Sequence, residues 1–163
     1  MTMGGTEAIV LEQLQALRRS LARIEAHRTT LAGRLPLEAA ALERLGDADL
    51  VRIEALMKKF EQFVDDLRRV ARGILLLAAE DVAGKSHRQI LDRLASLGAI
   101  ASVEAVVELI ALRNRLTHDY PSAPDKQAAM VNALHEKAGT LAPLLARIED
   151  YVRRNGLLPT AAP

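Results

Sequence analysis

Cysteine is missing from all 163 residues of this chain. A disulfide framework and a thiolate zinc site are therefore both excluded. Aromatic residues are nearly missing as well, with no tryptophan, two tyrosines and two phenylalanines. The apolar content, 50% of the residues, comes instead from Leu, Ala, Val and Ile. With the abundant Glu and Arg, that is the composition of packed helices. Neither sign of charge is in excess, since 22 Lys and Arg face 21 Asp and Glu for a net +1. The chain thus lacks the overall electrostatic footprint of a protein that coats nucleic acid, while a local basic cleft stays open. No apolar run approaches the roughly 18 residues of a membrane span. The longest, GILLLAA from Gly73 to Ala79, is too short, so no membrane partner is expected. The start, MTMGGTEAIV, has no charged segment ahead of an apolar run, and the expectation is no signal peptide and a cytoplasmic location. The length is that of one domain with a real core.

What is present is helical periodicity. From Thr6 to about Arg34 a heptad-like stripe runs through Val10, Leu14, Leu17, Leu21, Ile24 and Leu31, interrupted by Arg28. The three-four spacing puts these on one face. Arg18, Arg19 and Arg23 lie off the stripe and read as solvated charge. Gly33 and Pro36 punctuate the end, and a short helical piece is expected from Leu37 to Leu45. Asp47 or Asp49 would then cap a long helix reaching about Asp81. That helix carries two apolar stripes side by side, Leu50, Ile53, Met57, Phe60, Val64, Leu67, Ala71 and Ile74 beside Leu56, Phe63, Val70 and Leu77. So wide an arc implies burial against more than one neighbour. Gly73 within it costs roughly 1 kcal/mol of propensity relative to Ala, which points to a close approach by another helix.

Ser86 with Gln89 three residues on is a capping box, and Gly98 is placed to close the helix it opens. Ser102 opens the next. The segment PSAPD then turns the chain, and a final helix runs from Ser122 or Asp125 through Val131, Leu134, Ala138, Leu141, Leu145, Ile148 and Val152. Pro143 inside it predicts a kink. With no repeats and no strand-like alternation, the reading is an all-α, up-and-down bundle of about five helices. It divides as residues 1–46, an N-terminal helical extension, 47–155, the main helical domain, and 156–163, a disordered tail.

Chemistry concentrates in RNRLTHDYP, from Arg113 to Pro121. Arginine is a phosphate ligand. Histidine is the side chain that titrates near neutral pH unaided. Tyr120 adds a hydroxyl, and Pro121 pushes the residue before it out of the α region. On a helical wheel Glu104, Glu108, Ala111 and Arg115 share a stripe that faces water. Two other stripes, Val106, Ile110, Arg113, Thr117 and Val103, Val107, Ile110, Asn114, Thr117, are apolar for two turns and then turn polar. A polar residue that continues an apolar stripe needs a partner or a cavity, because burying it bare costs several kcal/mol. The plainer readings are a salt-bridged Arg113, a His118 that caps the helix and a packed Tyr120 with a wet hydroxyl. His27, His87 and His135 have no metal-site spacing and read as surface residues.

Arg113, Asn114, His118 and Tyr120 match the R-N-x(3)-H-x-Y form of the motif in the HEPN superfamily. More narrowly, the chain resembles the toxin in minimal-nucleotidyltransferase/HEPN toxin–antitoxin pairs, over about Asp49 to Val152. The resemblance implies a HEPN-like fold and a metal-independent endoribonuclease without a cofactor, with Arg113 and His118 catalytic and Asn114 and Tyr120 supporting. It implies an RNA substrate and a homodimer that brings two motifs into one cleft. It also implies a cognate nucleotidyltransferase antitoxin that places AMP on Tyr120. Two rivals stand beside it. One is a non-catalytic subunit that presents a nucleotide or substrate to a nucleotidyltransferase. The other is a purely structural bundle, with Arg113 and His118 in separate environments.

Overall fold

The computed structural model describes residues 4–159. Helix α1 spans Gly5–Leu31 and continues into a 3₁₀ turn, Ala32–Arg34. A single turn, α2, follows at Ala39–Leu42, then the long α3 at Asp47–Leu77. The remainder is α4 (His87–Ser96), α5 (Val103–His118), α6 (Pro124–Ala138) and α7 (Leu141–Arg154). No strand occurs among the described residues, and six helices have ten residues or more. The protein is an all-α bundle.

Helix α3 is the spine, touching α1, α4, α5 and α6. Its two apolar stripes are why: Ile53, Phe60, Val64, Leu67 and Ile74 are buried on one side, Leu56, Phe63 and Val70 on the other. Helix α1 lies antiparallel along it, with Val10 against Gly73 and Arg23 near Lys59. A Cβ on Gly73 would stand 2.5 Å from Val10 Cγ2, so the glycine marks the close approach its position implied. Val10, Leu14, Leu17, Ile24 and Leu31 of α1 belong to the same core as residues 47–155. At the α1–α3 turn, Arg34 and Arg52 both bond the nearly buried Asp49 carboxylate, each at 3.2 Å. Asn132 on α6 holds the connecting segment through both polar groups of Leu37, accepting from its N–H at 2.7 Å and donating to its carbonyl at 2.8 Å.

Several boundaries differ from the sequence reading, each for a local reason. Helix α3 starts at Asp47 with Gly46 as its N-cap, so neither Asp47 nor Asp49 caps it. It ends at Leu77 rather than near Asp81, because Ala79 adopts φ 59°. There Glu80 N–H donates to Leu75 O at 2.9 Å and Ala79 N–H to Leu76 O at 3.1 Å, the paired bonds of a Schellman close. The final helix is two helices, not one kinked at Pro143. The chain breaks at Gly139–Thr140, and Pro143 falls in the first turn of α7, where its missing N–H has no intrahelical partner to lose. The tail is anchored further than expected, since Leu157 and Leu158 pack on the core. Residues 160–163 lie outside the described residues.

The capping box at Ser86 and Gln89 forms, with Gln89 N–H donating to Ser86 Oγ at 3.3 Å and Ser86 N–H to Gln89 Oε1 at 2.9 Å. Gly98, at φ 81°, closes α4. No described helix is long and apolar enough to cross a membrane.

Candidate functional site

The buried face of α5 is Val106, Leu109, Leu112 and Leu116. That is a turn of the helix away from the sequence reading, which carried the inward face through Asn114 and Thr117. Both of these are exposed. The leucines at three- and four-residue spacing make the stronger stripe and win the core side. Glu104, Glu108, Ala111 and Arg115 are all exposed.

Arg113 sits at the edge of the buried stripe, its side chain 20% exposed. Because α5 crosses α3, the guanidinium meets Asp65, and Nη2 donates to Oδ2 at 2.8 Å. Nη1 reaches Asn114 Oδ1 only at 3.4 Å, a long and weak contact. Nε is buried with no partner among the described residues. Thr117 Oγ donates to the Arg113 carbonyl at 3.0 Å and so stays with its own helix.

His118 is the last residue of α5 and is exposed. Five residues at 100° each put it about 140° around the helix from Arg113. One faces α3 and the other faces solvent. Within a single chain the two do not converge.

Tyr120 lies beyond the helix end, 42% exposed. Its ring lines a groove of about 390 Å³ with Ile53, Glu54, Met57 and Pro124. Burial, reinforced by the charge of Glu54, raises the phenol above its ordinary pKa and keeps it protonated. Glu54 and Asp65 stand eleven positions apart on α3, roughly 16 Å along its axis. Tyr120 and Arg113 therefore meet different parts of α3.

A cluster the sequence reading passed over lies next to Arg113. Asp65 lines a cleft of about 360 Å³ with Arg68, Arg69, Arg72 and His87. Arg69 pairs with Asp66 at 3.0 Å. Arg72 donates to the carbonyls of Val82 and Lys85 at 2.8 and 3.0 Å, tying the α3–α4 connection to α3. Arg68 Nε is buried without a partner. Burial first, then the charges of Arg68 and Arg72, lower the His87 pKa. The available signal was the spacing Asp65, Arg68, Arg69, Arg72, which stacks charge at three- and four-residue intervals on α3.

Among the described residues no group of three or more His, Asp or Glu side chains is placed to hold a metal ion. No protein-family model matches the chain, and no curated protein matches it in sequence.

Proposed function

We propose that the chain cleaves RNA without a metal, as the toxin of a toxin–antitoxin pair. The observation that carries this reading is the setting of Arg113. Its guanidinium is pinned by Asp65 at 2.8 Å, and Asp65 in turn lines a cleft with three further arginines. Arg68 in that cleft has a buried Nε without a partner, and the planar fork of an arginine suits a phosphodiester. Arg113 would hold the phosphoryl oxygens and stabilise charge as it develops. The RNA 2′-oxygen would attack phosphorus and give its proton to a histidine. The bond from phosphorus to the 5′-oxygen would break, leaving a 2′,3′-cyclic phosphate and a 5′-alkoxide that takes a proton from the imidazolium of a second copy of the chain and departs as a 5′-hydroxyl. His118 is the imidazole for that work.

The separation of Arg113 and His118 within one chain is what the purely structural bundle expects, so the ribonuclease reading requires a homodimer in which the motif of one copy is completed by the other. Regulation follows the same reading. A cognate nucleotidyltransferase would act as antitoxin and transfer AMP to the Tyr120 oxygen, which is protonated at neutral pH and needs a base from that partner. Intact mass after co-expression with such a transferase is the check. It should rise by whole AMP units, and stay unchanged in Tyr120→Phe.

One observation favours a second reading, a phosphate-binding subunit without turnover. Arg113 is engaged by a carboxylate, and His118 points away from it. Purified protein incubated with single-stranded RNA in EDTA separates the two. Cleavage to 2′,3′-cyclic phosphate ends, lost in His118→Ala, is the expected result. Intact RNA with the dimeric wild-type protein would sink the ribonuclease reading and leave the binding subunit.

A further inference from the structure

Two adjoining clefts flank α3, one on its α1 side and one on its α4 side. The first, about 560 Å³, is lined by Arg19, Arg23, Lys59 and Asp66 among others. The second is the arginine cleft with Arg68, Arg72 and His87. Asp66 lines the first and bonds Arg69 of the second, so the two meet at that ion pair.

Most basic side chains of this nearly neutral protein are spent in ion pairs. Ten form none among the described residues; five of these, Arg19, Arg23, Lys59, Arg68 and Arg72, line these clefts, and Arg44, Lys85, Arg115, Lys126 and Arg147 lie elsewhere. The sequence reading took Arg19 and Arg23 as solvated charge. The antiparallel packing of α1 on α3 instead sets them opposite Lys59. Lys59 and Arg72 stand roughly 20 Å apart along α3 and about 140° around it, so the two clefts follow one another across the helix, against one phosphate per about 3.4 Å of axis along a strand of duplex.

We infer that these two clefts together form a docking track across α3 for the phosphate backbone of a nucleic acid, held by Arg19, Arg23 and Lys59 on one side of Asp66 and by Arg68, Arg72 and His87 on the other. A protein partner fits it poorly. Protein interfaces centre on apolar and aromatic anchors, and none of the exposed large hydrophobics, Ile9, Leu50, Val51, Leu76 and Tyr120, lines either cleft. Stacking on unpaired bases fits poorly too, because Phe60 and Phe63 are fully buried and offer no platform. The track holds backbone and is indifferent to sequence. Arg113 reaches its edge through Asp65. The inference deepens the ribonuclease reading and rests on it only for RNA as the natural strand.

The test is binding of a fluorescent 2′-O-methyl RNA, which lacks the attacking hydroxyl and stays intact, and of DNA of the same sequence, by anisotropy across a salt series. The full-length protein should bind both, with affinity falling steeply as salt rises. A triple variant, Arg19→Ser with Arg23→Ser and Lys59→Ser, should bind at least tenfold more weakly at low salt. Its salt slope should fall by about 2, near 0.7 for each lost phosphate contact on a single strand. Arg68→Gln, across Asp66, should weaken binding independently. A charge-matched control, Arg44→Ser with Arg115→Ser and Lys126→Ser, should stay within twofold of wild type. These side chains are exposed except Lys59 and Arg68, which are partly so, and thermal unfolding checks the fold of each variant. Equal affinity for RNA and DNA assigns the contacts to phosphate alone; a tenfold preference for RNA assigns the natural strand. No binding by wild type, an equal loss in the control, or a polyglutamate that competes as well as the oligonucleotide overturns the track. Binding without cleavage of ordinary RNA keeps the track and removes the ribonuclease reading.

Discussion

Arg113 on α5 and Asp65 on α3, 48 residues apart in the chain, are joined by a 2.8 Å charged hydrogen bond. The bond fixes where the motif arginine lies, because it is the one strong contact of a side chain only 20% exposed. Asp65→Asn keeps the shape and removes the charge. It should lower stability by about 1–3 kcal/mol, leaving a partly buried guanidinium without its anion. A urea double-mutant cycle with Arg113→Met checks it. A coupling energy of about 1 kcal/mol is expected, and a value near zero would mean the pair does not form in solution.

Three single substitutions on α5 test the facing of the motif. Arg113→Ala and His118→Ala should each abolish toxicity on induced expression while circular dichroism stays helical. Arg115→Ala should have little effect, since Arg115 is exposed alongside Glu104 and Glu108. Equal inactivity of Arg115→Ala and Arg113→Ala would overturn the assignment.

Gly73 makes a test in which propensity and packing oppose each other. Gly73→Ala gains roughly 1 kcal/mol of helix propensity. Its Cβ would lie 2.5 Å from the stiff Val10 side chain, and overpacking of that kind costs about 1–3 kcal/mol. Packing should win or cancel the gain. The same substitution should cost less in a Val10→Ala background, where the obstructing methyl is gone. Denaturation midpoints of the four proteins decide it.

Ala79 holds a left-handed backbone, φ 59°, at the close of α3. Glycine has no Cβ penalty there. Ala79→Gly should raise stability by about 1 kcal/mol, seen as a higher melting temperature with unchanged helicity. A lower melting temperature would show that α3 ends differently.

His87 and His135 are both held below the ordinary histidine value of 6.5, mainly by burial, with Arg68 and Arg72 acting on the first and Arg28 on the second. A depressed histidine is neutral in the fold over a range where the unfolded chain is protonated. The unfolded chain then binds more protons, so stability falls as pH drops through 6.5 and shows no penalty above it. His87→Gln with His135→Gln should flatten that acid limb. In an NMR titration an added 2′-O-methyl oligonucleotide should raise the His87 midpoint and leave that of His135 in place.

The helical class, most of the helix inventory and the buried stripes of α1 and α3 follow from three-four spacing alone, because each helix must bury one face and its period is set by backbone geometry. Gly73 was legible as a contact point for the same reason, since a glycine inside a strong helix needs a cause. The capping box at Ser86 is a local hydrogen-bond pattern and needs no distant partner.

Other features were decided by residues far away in the chain. Which side of α5 faces inward was set by the local spacing of Val106, Leu109, Leu112 and Leu116, but what the edge of that side meets on α3 was not. That spacing turned Asn114 and Thr117 outward, and the crossing of α5 over α3 set Arg113 against Asp65. Tyr120, two residues past His118 in sequence, settled by Glu54 because the chain leaves the helix between them. The basic face of α1 and α3 had no single-helix signature, since Arg19 and Arg23 gain their meaning only where antiparallel packing sets Lys59 opposite them. Periodicity within a helix is a property of the local chain. The pairing of charges across helices depends on register and crossing, and only the tertiary structure sets those.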